Sequence, residues 1–305
     1  MKIYILSALF CFILISVKSQ DNFLFNNNQS LLFVNPSFAG SNDAWRMQTS
    51  RMSSNPNLSS KLTDNYLAID KFVKTLKGGL GLIVTSDNFS HGLLKEQSFA
   101  LTYAPRFSLM DHQIKIVPSF QIAYLQKQLD ISGLPFGQQP PFIINSGGTA
   151  LGYRRNLDFT GGVLVQYQNF TGGLAIKHFT QPDMGVMGPQ KLPAALNVHA
   201  AYTFKIEEKN LLQIFTLYNN QGNMGNLMLN MNAILNSHVL LGLGANTNNI
   251  SFINAGYRSN RISANLSYGY TFNKLASTNS QIFILSLAFR KAKEIKKQVE
   301  SFENW

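Results

Sequence analysis

Large apolar residues alternate with small polar ones in segment after segment of this sequence, and this alternation limits the folds open to it. In residues 261–272 (RISANLSYGYTF), every second residue from Ile262 onward is large or apolar, and those between are Ser, Asn, Gly and Thr. A period of two residues places successive side chains on opposite faces of a β-strand. A sandwich strand would carry charge on its solvent face, whereas the second face here is small and uncharged. The pattern therefore favours strands in a membrane.

The composition supports the same conclusion. Charged residues make up only 13% of the chain and hydrophobic residues 45%, which leaves a sparse surface for a soluble protein of this size. After residue 20, however, no apolar run approaches the roughly 20 residues of a membrane-spanning helix. We therefore predict an all-β fold, a transmembrane up-and-down antiparallel β-barrel located in the cell outer membrane.

The alternating segments number about fourteen, and an even number of strands is typical of bacterial outer-membrane barrels. The predicted barrel covers residues 44–290 and has both of its ends on the periplasmic side. Its predicted strands are 44–52, 61–71, 77–86, 93–104, 112–128, 157–167, 170–178, 194–205, 209–218, 225–235, 238–246, 250–258, 261–272 and 280–290.

The connections between these strands are predicted to alternate in length. Outer-membrane barrels have short periplasmic turns and longer external loops, so long connections at every second position support a barrel over a sandwich. The predicted long or irregular connections are 53–60, 87–92, 129–156, 179–193, 219–224, 247–249 and 273–279.

The first residues resemble a secretory signal peptide. Residues 1–19 contain Lys2, an apolar stretch from Ile3 to Val17 and a polar end, which is too short for a membrane-spanning helix. We predict cleavage after Ser19, which removes the single cysteine, Cys11. The exported chain is then free of disulfides and must be stabilised by a large core or a closed sheet.

No arrangement of residues for catalysis is evident in the sequence. None of the five histidines is paired at the spacing of a zinc-binding helix, and no G-x-S-x-G nucleophile motif occurs. We therefore predict a protein without enzymatic activity, metal or cofactor. Its formal net charge of +11 suits acidic lipid or an acidic protein partner, and export argues against nucleic acid.

Two long predicted loops, 129–156 and 179–193, have two interpretations. Each is either an ordinary folded extracellular loop or a plug or partner-binding surface, since loops of this length are usually functional or disordered. In the second loop, Phe179 and two methionines would give an adaptable apolar surface. The candidate binding residues in and beside these loops are Phe136, Phe142, His178, Gln181, Pro182, Met184 and Met187.

The last residues, 291–305, change character abruptly. Lysines cluster early, and Ile295, Val299 and Phe302 recur at helical spacing. The pattern predicts a short, basic, amphipathic periplasmic helix, which is either solvated or docked on a periplasmic partner or on the inner face of the membrane. Trp305 at the end of the chain favours docking slightly.

The phrase FVNPSFAG (33–40) lies between the export signal and the first strand. Pro36 disfavours a helix at Asn35, and Gly40 permits a sharp change of direction. The phrase is either a simple turn or, with Phe38 packed inward, a plug in the barrel mouth. We therefore treat residues 20–43 as an N-terminal periplasmic or plug segment.

Several phrases, taken in order, resemble the PorP/SprF family of the type IX secretion and gliding system. The family opening N-P-[AS]-[YF]-A-G-S is similar to residues 35–41, and its S-x-x-H-L-x-Q-P strand is similar to the segment with His178, Gln181 and Pro182. Further phrases in the expected order are GGLGLIV (78–84), LTYAP (101–105), AGYR (255–258) and SYGYTFNKL (267–275).

The resemblance implies a non-enzymatic outer-membrane barrel. Family members support the export or surface anchoring of large secreted proteins, including gliding adhesins, through the C-terminal sorting domains of those proteins. They are also linked to periplasmic ring lipoproteins of the secretion machine. Asn273, where the family often has Asp, and the unusual tail favour a substrate-specific copy. A porin or uptake channel for small solutes is the alternative function.

Overall fold

In the computed structural model, the chain is described over residues 30–42, 44–55, 61–110, 113–130, 152–271 and 280–290. These residues form fifteen strand segments, of which β4 and β5 are two parts of one strand, because both pair with β6 on either side of Arg106. The segments are β1 (Arg46–Ser54), β2 (Leu62–Val73), β3 (Gly78–Phe89), β4 (Leu94–Pro105), β5 (Phe107–Leu109), β6 (Ile114–Leu129), β7 (Gly152–Tyr167), β8 (Phe170–Lys177), β9 (Ala195–Lys205), β10 (Leu211–Gln221), β11 (Met224–Leu235), β12 (Val239–Asn246), β13 (Ile250–Arg258), β14 (Ile262–Thr271) and β15 (Ser280–Arg290).

The fourteen strands close into one antiparallel barrel. Each strand pairs with its neighbour in sequence, and the first strand, β1, pairs with the last, β15. Arg46 lies opposite Arg290 in that closing pair. The predicted fourteen-stranded up-and-down barrel is therefore confirmed, whereas the predicted signal peptide (1–19) and the C-terminal helix (291–305) lie outside the described residues.

Every predicted strand has a counterpart within a few residues. The largest differences are at β7, which begins at Gly152 rather than at residue 157, and at the strand made of β4 and β5, which ends at Leu109 rather than at residue 104. The prediction of a long connection over 219–224 was wrong, because β10 and β11 are joined by a two-residue turn at Gly222 and Asn223. Gly222 has a φ of +62°, which tight hairpin turns require and glycine adopts without strain.

The two ends of the barrel differ in their connections. At one end, here called the short-turn end, lie Arg46, Arg290 and tight turns such as Gln168–Asn169. At the other, the long-loop end, β8 and β9 are joined by residues 178–194, and the connections at 56–60, 131–151 and 272–279 fall largely outside the described residues. The described part of this end also has tight turns, as at 247–249, so only some of its connections are long.

The outer wall is apolar and the inner wall is polar. In β14, Ile262, Leu266 and Tyr268 point outward, whereas Asn265 and Ser267 point inward and are buried. Most exposed side chains of the other strands are likewise large and apolar, such as Leu101, Leu157, Leu243 and Ile253. Among the described residues, no helix is long and apolar enough to cross a bilayer.

The interior of the barrel is filled. A helical turn, α1 (Leu31–Val34), and a 3₁₀ turn (Pro36–Phe38) are buried inside it. They join one continuous apolar cluster with inward side chains of the wall, which are Met52, Tyr66, Ala68, Ile83, Ala100, Ala104, Val117, Ala123, Leu164, Ala201, Phe215, Leu217, Met228, Phe252, Ile282 and Ile284.

Candidate functional site in the barrel lumen

Residues 30–42, here called the lumen segment, touch the wall on several sides. The backbone N–H of Gly40 donates to Asp70 of β2 at 2.8 Å, and the carbonyl of Val34 accepts from Asn197 of β9 at 2.8 Å. Ser37 is hydrogen-bonded to Ser119 of β6. Contacts with strands so far apart around the barrel place the segment inside the lumen.

Asn35 occupies a cradle formed by the wall. Its side-chain nitrogen donates to the backbone carbonyls of Val163 and Leu174, each at 3.1 Å, and lies 3.1 Å from Nε2 of His199. Its side-chain oxygen accepts from the backbone N–H of Ser37 at 2.9 Å. Asn35 is fully buried, so its amide would be costly to leave without these partners.

Two glycines of the wall make room for this amide. A Cβ at Gly162 of β7 would overlap the oxygen of Asn35, and a Cβ at Gly173 of β8 would lie 3.0 Å from its nitrogen. The bare backbone therefore lets Asn35 reach the strand carbonyls. Glycine in a strand interior often marks such a close approach.

Phe38 lies three residues further along the segment and is fully buried. Its ring packs on that of His199 with centroids 5.2 Å apart, and His199 stacks in turn on Phe215 of β10 at 6.2 Å. Pro36 begins the 3₁₀ turn between the two side chains, and the amide of Asn35 caps that turn. Asn35, Pro36 and Phe38 therefore form one compact unit against the wall.

A buried ion pair fixes the end of the segment near the short turns. Arg46 Nε lies 2.9 Å from Asp70 Oδ1, and both side chains are only 1% exposed. The same arginine donates to the carbonyl of Phe38 at 3.4 Å, and Arg106 donates to the carbonyl of Gly40 at 2.6 Å. Gly40 has a φ of +66°, where other residues are strained.

A cavity of about 100 Å³ lies between the lumen segment and the loop 178–194. Leu32 and Phe33 line it from the segment, and Met184 and Leu192 line it from the loop. Asp87, Glu96 and Lys127 also line it, and they belong to a longer row of directly opposed charged strand residues. The row consists of Asp64, Asp87, Glu96, Lys127 and Arg154, with Lys127 ion-paired to Glu96.

The loop 178–194 folds over this cavity. Asp183 accepts backbone hydrogen bonds from Gln190 at 2.7 Å and Gly185 at 3.0 Å, and these bonds lower the pKa of its carboxyl. Arg154 donates to the carbonyl of Gly185. The base of the loop is therefore ordered by side chain-to-backbone bonds.

The candidate residues of this loop do not form one surface. Met184 and Pro182 are buried, Met187 is 76% exposed at the tip, and Phe179 packs against Gly161 on the outer wall. The expectation of a shared apolar surface of Phe179, Met184 and Met187 was therefore wrong, because the loop turns Met184 inward.

His178 and Gln181 also differ in their exposure to solvent. His178 is buried and its Nδ1 is hydrogen-bonded to Asp158 Oδ2 at 2.8 Å, whereas Gln181 is exposed. Phe136, Phe142 and Trp305 lie outside the described residues.

The other half of the lumen is lined with amides. Asn254 donates to Asn232 at 2.8 Å, and both line a cavity of about 40 Å³ together with Gln48, Asn265 and Ser286. Within the described ranges, no group of three or more His, Cys, Asp or Glu side chains is placed to hold a metal.

Sequence reasoning missed the wall residues that hold the segment, chiefly Arg46, Asp70, Asn197 and His199. One signal was available, because Arg46 is the only charged residue at an inward position of β1, and Asp70 shares the inner face of β2 with only one other charged residue, Asp64. Nothing local in the sequence indicates that the carbonyls of Val163 and Leu174 accept hydrogen bonds.

Comparison with known proteins gives a family and a fold. The family described as "Type IX secretion system membrane protein PorP/SprF" matches residues 16–289. A comparison with curated proteins gives no match.

Among solved structures, the Pseudomonas putida toluene transporter TodX is similar, with a TM-score of 0.51 and 10% identity over 90% of this chain and 96% of that one. A TodX deletion mutant, described as a monoaromatic hydrocarbon channel, has a TM-score of 0.54 and 10% identity over 87% and 94% of the two chains. At such low identity, these likenesses show the fold alone.

Proposed function

The chain belongs to the PorP/SprF family of type IX secretion system membrane proteins, and from this membership we propose that it holds a secreted partner at the cell surface. The partner is a large, adhesin-like protein, bound through its C-terminal sorting domain. The family is one of membrane barrels and not of enzymes, so the proposed mechanism is non-covalent binding.

The observation that carries this proposal is the filled lumen. The lumen segment and the inward apolar side chains form one continuous buried cluster, which occupies that part of the lumen among the described residues. A barrel filled in this way acts through its surfaces. The long-loop end, with an ordered loop over the cavity, is the surface best suited to binding.

We assign binding of the secreted partner to the exposed parts of the long-loop end. Met187 is the most exposed large apolar side chain of the described residues, and the bonds of Asp183 hold the base of its loop. Methionine suits adaptable apolar contacts. The loop 129–156, with Phe136 and Phe142, is the second proposed part of the binding surface.

The short-turn end faces the periplasm in this proposal. Ring lipoproteins of the secretion machine would meet the barrel there, and the tail ending at Trp305 would contribute to that contact. Outer-membrane lipid covers the apolar outer wall.

Surface retention of the secreted partner tests the proposal. Cells that lack the protein are complemented with the wild type, a Met187→Asp variant or a variant without residues 131–151, and the partner on the cell surface is quantified. Asn248→Asp, in an exposed turn of the same end of the barrel, serves as the matched charge control. Retention unchanged in both test variants would refute the loop assignment, and retention unchanged without the whole protein would refute the function.

A channel for small solutes is the second candidate. The amide-lined cavity near Asn232 and Asn254 favours it, since polar lumens are typical of porins. Single-channel recordings in planar bilayers separate the two functions. The proposed adaptor passes little current when intact, whereas a porin conducts without any change to the lumen segment.

A further inference from the structure

The barrel wall around the lumen segment is complementary to particular residues of that segment. Asn35 meets two strand carbonyls and His199, Phe38 meets the face of His199, and Gly40 meets Asp70. These contacts are made by side chains and backbone of several different strands. Together, these contacts are specific for an asparagine, an aromatic residue and a glycine at fixed spacing in the segment.

The polar wall groups that bind the segment are themselves buried. Four of them are no more than 2% exposed, namely Asn197, His199, Asp70 and Arg46. Each of the four contacts the segment directly. Buried polar groups are costly when they lack partners. These burial values hold with the segment in place; without it, water would take its position, and a peptide that restores the same bonds would displace that water.

The backbone of the wall is also recessed to admit the segment. A Cβ at Gly79 would overlap the carbonyl of Ala39, and a Cβ at Gly162 would overlap Asn35. These glycines create space that only an inserted chain fills. The groove and the segment thus have the relationship of a receptor and a peptide ligand.

We propose that the lumen is a sequence-specific peptide receptor and that residues 30–42 are its resident, exchangeable ligand. The ligand class is a short peptide with Asn-Pro, a phenylalanine three residues after the asparagine and a glycine two residues later. Such a peptide binds when supplied by a separate molecule, provided that the resident segment is released. The inference concerns the purified barrel and does not depend on the secreted partner.

Covalent attachment explains why exchange would be rare in the intact chain. A tethered ligand competes at an effective concentration in the millimolar range, so a free peptide displaces it poorly. Cutting the chain after Asn42 removes this advantage while leaving every contact of the segment in place.

The experiment uses the full chain with a protease site inserted after Asn42. The folded protein is cut in detergent and incubated with an excess of a fluorescent peptide of residues 30–42, and binding is followed by anisotropy. A barrel that starts at Ala44 and is refolded directly provides a second, emptied receptor. Circular dichroism and heat-dependent gel mobility report that each barrel is folded.

We expect saturable binding of the wild-type peptide and about tenfold or greater weakening for the Asn35→Ala and Phe38→Ala peptides, since each substitution removes buried contacts. The Ser41→Ala peptide is the matched control and should bind as the wild type does. The hydroxyl of Ser41 makes no hydrogen bond to any of the described residues.

Two results would overturn the proposal. One is no binding of the wild-type peptide to a folded barrel of either kind, including failure to replace the cut fragment. The other is equal binding of all four peptides, which would show that the groove takes any apolar chain. The retention of the partner in cells has no bearing on these two peptide-binding results. A failure of the proposed function is therefore distinguished from a failure of the peptide-receptor proposal.

Discussion

Arg46 and Asp70 lie directly opposite each other on β1 and β2 and form an ion pair that is almost fully buried. Each member also holds the lumen segment, since Arg46 donates to the carbonyl of Phe38 and Asp70 accepts from the N–H of Gly40. The pair therefore links two neighbouring strands of the wall and also holds the lumen segment in place.

The first prediction concerns this pair. Asp70→Asn and Arg46→Gln each leave one buried charge uncompensated, and we expect each to lower the free energy of unfolding by about 3–5 kcal/mol. Urea unfolding in detergent micelles, followed by circular dichroism, measures the change. Glu207→Gln, at an exposed turn position, should leave the midpoint within error. A neutral result for both core variants would contradict a structural role for the pair.

The second prediction concerns the cradle of Asn35. Gly162→Ala puts a methyl group where Asn35, Ser37 and Ser119 already lie, so we expect the segment to be displaced and conductance in planar bilayers to rise several-fold. Gly188→Ala is the matched control, because a Cβ there meets nothing within 4 Å. Equal conductance in the two variants would show that the segment does not seal the lumen.

The barrel itself was predictable because a membrane strand repeats a simple rule. Outward residues such as Leu266 must suit lipid and inward residues such as Ser267 need not, and this alternation is written in the local sequence. The same reasoning placed fourteen strands to within a few residues. It failed at 219–224, where a polar sequence with Gly222 folds as a tight turn and not as a long loop.

The lumen site was predictable only in part. Asn35, Pro36, Phe38 and Gly40 stood out because they form a turn phrase between the predicted export signal and the first strand, and because the phrase resembles the family opening. Their partners did not, because His199 and the carbonyl of Val163 approach them only after the barrel has closed. Contacts between residues more than a hundred positions apart leave no local pattern in a single sequence.

The third prediction concerns the pH dependence of the loop 178–194. Hydrogen bonds from Gln190 and Gly185 lower the pKa of Asp183 below its ordinary value of 3.8. Because the folded-state pKa is the lower one, the stabilisation is fully present above the unfolded value and is lost as the pH falls through the folded value. The loop should therefore stay ordered at neutral pH and loosen only in strong acid.

Hydrogen exchange checks this behaviour. The protection factors of the Gly185 and Gln190 amides should be constant from mildly acidic to neutral pH and fall below the ordinary pKa of an aspartate. Asp183→Asn should lower both at neutral pH, since a neutral amide accepts hydrogen bonds less strongly than a carboxylate. Protection that declines through the neutral range instead would point to another titrating group.

The fourth prediction concerns the amides in the other half of the lumen. Asn254 donates to Asn232 across Gly242, whose missing Cβ makes room for both. Replacing only one by leucine leaves the other without its buried partner, which costs about 1–3 kcal/mol, whereas replacing both with an apolar group of similar shape can be nearly neutral. We therefore expect Asn232→Leu and Asn254→Leu to destabilise the barrel singly and the double variant to recover most of the loss. A double-mutant cycle of urea unfolding measures this coupling, and simple additivity of the two single losses would mean that the amides act independently.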